Sequence, residues 1–76
     1  MELCGYRHVE GYVAFLEFQN GEKMEVDMEE LVKGKLTPKE LESGRIDPDW
    51  GCLEFGNVDI EPKTLYQYAR THSLAY

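Results

Sequence analysis

The residues numerous enough to do chemistry in this chain are its carboxylates. Fifteen Asp and Glu stand against eight Lys and Arg, a net charge of −7 over 76 residues. Two carboxylates can serve as general acid and base, but only where burial or a close neighbour holds their pKa values apart. Acids this abundant pair by chance, and none lies in an apolar context that would tune it. His8 and His72 have no nucleophile beside them. With Cys4 and Cys52 they do not form the close ligand pairs that zinc requires. No Gly-rich phosphate loop is present. The residue types therefore predict no catalysis, no cofactor and no metal.

The same carboxylates have a pattern suited to binding. Glu22, Glu25, Asp27, Glu29 and Glu30 follow one another with Lys23 as the only base between them, and Glu17 belongs to the strand expected to face them. A strand places same-face residues about 6.8 Å apart, near the phosphate spacing of a nucleic acid backbone. An acidic stripe of this kind predicts docking to a protein with a basic, nucleic-acid-binding surface, helped by charge complementarity. Glu40, Glu42, Asp47 and Asp49 make a second acidic group. Tyr6, Tyr12, Trp50 and Tyr66 are candidate anchors, because aromatic side chains dominate binding hot spots. Direct binding to nucleic acid is disfavoured, since phosphates are neutralised by Lys and Arg. For any single carboxylate, a solvated surface remains the simplest account.

The elements that must position these residues can be read in order. Leu3 to Val9 reads as a strand, with Gly5 marking a bulge or bend. Glu10-Gly11 then turns into an apolar run from Tyr12 to Phe18. Asn20-Gly21 is a hairpin signal, both residues tolerating positive φ. Met24, Val26 and Met28 then alternate with Glu25 and Asp27, so one sheet should carry an apolar face and an acidic one. Asp27 is placed to cap a short helix that Gly34 ends, and Thr37-Pro38-Lys39-Glu40 has the form of a capping box whose helix stops at a left-handed Gly44. Arg45-Ile46, Cys52 to Phe55 and Val58 to Ile60 read as short strands, with turns at Asp47-Pro48-Asp49 and Gly56-Asn57. Pro62 starts a last helix whose Leu65, Tyr68 and Ala69 share a face, and the tail from Thr71 is expected to fray. The class is α+β, a small antiparallel sheet of about four to five strands with two to three short helices.

Length and composition bound the rest. The chain predicts a single domain over residues 1–76, near the size at which one core just suffices. No apolar run approaches the roughly 20 residues of a membrane helix, and the first residues do not read as a signal peptide. No membrane association is expected, and the cytoplasm is the expected location. Both cysteines should there be buried, reduced thiols, although neighbouring strands would make a disulfide geometrically feasible. The oligomeric state is left open.

Two segments carry a resemblance. They are Phe18-x-Asn20-Gly21-Glu22-x-x-x-Val26-Asp27 and Gly51-x-Leu53-x-Phe55-Gly56-Asn57-x-Asp59-Ile60-x-Pro62-x-x-Leu65-Tyr66. In this order, on either side of a helical linker, they resemble the domain-of-unknown-function 2442 family over nearly the whole chain, from Leu3 to Tyr68. Phe55 stands where that family often has Trp, and the Gly56-Asn57 turn is one residue shorter than the family's Pro-Asn-Gly-x. The resemblance implies a small α+β fold without catalytic activity, in bacterial proteins often encoded beside small toxin-like partners. It offers no catalytic residues to carry over. Asp59, the polar member of the shared set, is expected to cap the final helix or accept a turn hydrogen bond. Three functions follow as expectations. The first is an acidic, antitoxin-like inhibitor of a protein acting on nucleic acid. The second is a phage or mobile-element nucleic-acid mimic, such as an anti-CRISPR protein covering an effector's DNA-binding surface. The third is a structural accessory domain.

Overall fold

Alternation of apolar and polar residues sets the first half of the fold. The computed structural model describes residues 2–74. It begins with three strands, β1 (Leu3–Glu10), β2 (Val13–Phe18) and β3 (Lys23–Asp27), paired antiparallel in that order. Ala14, Leu16 and Phe18 are buried along β2, and Val26 and Met28 continue the same face from β3. The ladder slips between Leu3 and Gly5, as the glycine suggested. At the β2–β3 hairpin only Gly21 has positive φ, and the Phe18 carbonyl accepts the Gly21 N–H at 2.9 Å. The connection is thus a three-residue loop closing on a left-handed glycine, rather than a two-residue turn with Asn20 also left-handed. Asn20 instead uses Oδ1 to accept the Glu22 N–H at 3.0 Å.

The chain then leaves the sheet through two single-turn helices, α1 (Glu29–Val32) and α2 (Pro38–Leu41). Helices this short form only through packing, and Val32, Leu36 and Leu41 bury against the core. Met28, not Asp27, occupies the cap position of α1, although Asp27 Oδ1 accepts the Glu29 N–H at 3.0 Å. The Thr37–Glu40 capping box forms in full. Gly44 does not take the left-handed form expected of it. A Cβ there would lie 2.5 Å from Tyr6 Cε2 and would also strike the Phe55 ring, so the position requires glycine for close approach.

The helical detour also corrects the expectation of one sheet. β4 (Arg45–Ile46), β5 (Leu53–Phe55) and β6 (Val58–Ile60) form a second three-stranded antiparallel sheet, making six strands in two meanders. At the Gly56-Asn57 turn only the first central residue has positive φ, the form that glycine allows there. The last helix, α3 (Pro62–His72), buries Leu65 and Ala69 with Tyr68 packed beside them. It runs through Thr71 and His72, which were expected to fray. Ser73 then bridges to Val26, and the Leu74 N–H reaches the Glu25 carbonyl at 2.8 Å, so the tail takes the open edge of β3. Ala75 and Tyr76, in the same tail, lie outside the described residues.

Tyrosine hydroxyls tie the layers together. Tyr6 in β1 donates to the Leu41 carbonyl at 2.5 Å, Tyr68 in α3 donates to the Asp27 carbonyl at 2.8 Å, and Tyr12 reaches Leu36 O at a weak 3.5 Å. Burial pushes the Tyr6 phenol well above its ordinary pKa, so it stays a donor. Among the described residues no polar or charged side chain is buried, which sends every carboxylate to the surface.

Candidate functional site

Strand register decides which carboxylates meet. On the outer face of the first sheet, Gly5, Glu17 and Lys23 form one row across the strands, Arg7, Phe15 and Glu25 the next, and Val13 and Asp27 a third. Glu29 and Glu30 continue from Asp27 along α1. The acidic stripe is therefore interleaved with Lys23 and Arg7, and the Arg7 guanidinium lies 5.4 Å from the centre of the Phe15 ring. Sequence alternation within one hairpin could not show that a base from β1 completes the row.

Glu22 does not join this face. It turns toward α3, where it accepts hydrogen bonds from the Tyr66 hydroxyl and, at 2.5 Å, from Asn20 Nδ2. Those two bonds, Tyr66 first, hold its carboxyl below the ordinary range against partial desolvation, with help from Arg70. In the second acidic group, Glu40 is engaged by the backbone N–H of Thr37 at 2.9 Å, while Glu42 and Asp49 are exposed. Three expected anchors are structural instead. Tyr6 packs edge-on to Phe55, Tyr66 packs edge-on to Phe18, and Tyr12 lies half-buried against the core. Trp50 alone of the four is free, at 73% exposure.

Trp50 rides on the β4–β5 loop, which is held by its own backbone. The Asp47 N–H donates to Cys52 O at 2.9 Å, the Gly51 N–H to Asp47 O at 2.8 Å, and Asp47 Oδ1 accepts the N–H groups of Asp49 and Trp50 at 2.7 and 3.3 Å. Gly51 is buried with φ +70°, and a Cβ there would meet Glu2 Cβ at 2.9 Å. Beside the indole, Cys52, Glu61, Pro62 and Lys63 complete a recess of about 360 Å³. Pairing of β5 with β6 sets Glu54 directly opposite Asp59 on the outer face of the second sheet. Like charges so placed are mutually destabilising. Arg45 answers one of them, 3.8 Å from Glu54.

Glu54, Asp59 and Glu61 had no place in the site expected from the sequence, although the alternation in Cys52 to Phe55 and Val58 to Ile60 around a tight turn already pairs Glu54 with Asp59. Asp59 itself is exposed, and no side chain caps α3. Partial burial, then Asp47, Asp59, Glu61 and Glu54, push the Cys52 thiol pKa up, which is the reverse of an activated nucleophile. Cys4 is exposed rather than buried, Cys52 is half-buried, and both are free thiols. No three His, Cys, Asp or Glu among the described residues are grouped to hold a metal ion. No helix among them is long and apolar enough to cross a membrane.

Two three-stranded meanders, joined by single-turn helices and closed by a C-terminal helix, define a small α+β domain. The model of the family described as protein of unknown function (DUF2442) matches residues 7–71, and the chain belongs to that family. Comparison with curated proteins and with solved structures gives no match.

Proposed function

We propose that this chain is a non-catalytic binding domain that docks by charge onto the basic, nucleic-acid-binding surface of a partner protein and occludes it, as an antitoxin would. One observation carries the proposal. Among the described residues the carboxylates behind the net charge of −7 all lie at the surface, and only Glu54 is held in an ion pair, with Arg45, so most of the acidic surplus faces solvent. Uncompensated charge of one sign raises solubility and self-repulsion, and it also steers association with a basic surface. Interleaving of Arg7 and Lys23 with Glu17 and Glu25 favours local docking over mimicry of an unbroken phosphate row.

The test compares the tagged chain with a Glu25→Lys/Glu29→Lys/Glu30→Lys variant in capture from host lysate at low and high salt, with the retained protein identified. Asp27 is left in place because its carboxylate supports the start of α1. The expected result is a basic, nucleic-acid-binding protein that the parent holds at low salt and releases at high salt, and that a folded variant fails to hold. Equal retention by parent and variant would refute charge docking.

A further inference from the structure

We propose that the Trp50 corner is the docking point for an arginine side chain of the partner protein, with the guanidinium lying on the indole face and Glu61 accepting its N–H groups. This rests on the charge-docking function above and names its contact. Among the described residues Trp50 is the most exposed large apolar side chain, and the recess beside it has Glu61 in its wall. Asp47 lies at the base of the same loop, and the Glu54–Asp59 pair lies across the adjoining strands. The recess is lined mostly by apolar groups with Glu61 as its one acid, so an occupant that joins a flat apolar face to a positive charge complements both the indole and the carboxylate.

Arginine fits better than lysine. Its planar guanidinium can stack on an aromatic face while donating in-plane hydrogen bonds to a carboxylate, whereas an ammonium is a compact, strongly hydrated point charge. The chain places arginine over an aromatic ring twice for its own use, Arg7 over Phe15 and Arg70 over Tyr66 at 5.7 Å. Trp offers the strongest ring for this contact, yet no cation of this chain lies over Trp50 among the described residues. Arg45 is turned to Glu54, and Lys63 lines the recess with a stem long enough to keep its ammonium in water. The pinned loop lowers the ordering cost of binding.

Trp50 is the only tryptophan beside five tyrosines, so fluorescence excited at the red edge of the band, where tyrosine does not absorb, reports this corner. The probes are a short arginine-containing peptide and its lysine-for-arginine twin, titrated at low and high ionic strength, with heteronuclear NMR shifts mapping the contact. The arginine peptide should change Trp50 emission and bind about three- to tenfold tighter than its twin. Trp50→Leu should erase that preference, and Glu61→Gln should weaken the arginine peptide by a similar factor at low salt. Equal binding of the two peptides overturns the proposal. Shifts confined to Glu25, Asp27, Glu29 and Glu30, with Trp50 unmoved, overturn it as well but leave charge docking intact. Failure of both peptides to bind at low salt removes the contact, while charge docking stands or falls separately with the lysate capture of parent and Glu25→Lys/Glu29→Lys/Glu30→Lys variant.

Discussion

Gly44→Ala isolates the close packing that holds the two sheets against each other. Gly44 has no positive φ, so alanine suits its backbone and should by itself stabilise the chain by about 0.5 kcal/mol through the unfolded state. The new methyl, however, would sit 2.5 Å from Tyr6 Cε2 and inside the Phe55 ring contact. The two rings meet edge-on with centroids 5.5 Å apart, and the Tyr6 hydroxyl is tethered to Leu41 O, so neither ring is free to withdraw. Overpacking of this kind costs about 1–3 kcal/mol. Taking about 2 kcal/mol and subtracting the backbone gain leaves about 1.5 kcal/mol, a fall in melting temperature of roughly 6–12 °C for a domain of this size. Thermal and urea unfolding of parent and variant measure it directly. The partner experiment combines Gly44→Ala with Phe55→Leu. If the clash is the cause, the double variant is more stable than the sum of the two single losses, because the smaller side chain makes room for the methyl. A Gly44→Ala protein as stable as the parent would refute the account.

Other positions give independent checks. Tyr66→Phe removes the main bond holding Glu22 ionised. A depressed carboxyl pKa adds stability that is present above the unfolded value and lost as pH falls through the folded one. The variant should therefore be less stable near neutrality, and its deficit in urea unfolding should shrink in acid; a deficit independent of pH would refute the linkage. Thr37→Ala breaks the capping box and should cost about 1 kcal/mol, read as a shift of the urea midpoint. Trp50→Ala should change stability by less than about 0.5 kcal/mol, since the side chain is mostly in solvent, and a large loss would mean that the indole supports the fold.

Much of this fold is written in local chemistry. Asn20-Gly21 and Gly56-Asn57 end strands, Thr37-Pro38-Lys39-Glu40 builds a cap within four residues, and Pro62 opens a helix, each through forces acting over a few bonds. These signals placed the elements near their true bounds and indicated an α+β chain. They could not indicate that α1 and α2 carry β4 away from β3, leaving that edge to Ser73 and Leu74. Tyr6, Tyr12 and Tyr66 look alike in sequence to Trp50. Only contacts with Leu41, Leu36 and Glu22, at separations of 35, 24 and 44 residues, withdraw the tyrosines from the free surface. The acidic composition was plain from the sequence, but its arrangement was not. Side-chain alternation and cross-strand register turned Glu22 toward α3, set Arg7 and Lys23 among Glu17 and Glu25, and placed Glu54 against Asp59 beside the Trp50 loop. Composition and local propensity thus determined the charge and the elements, while pairing between distant strands decided where that charge is presented.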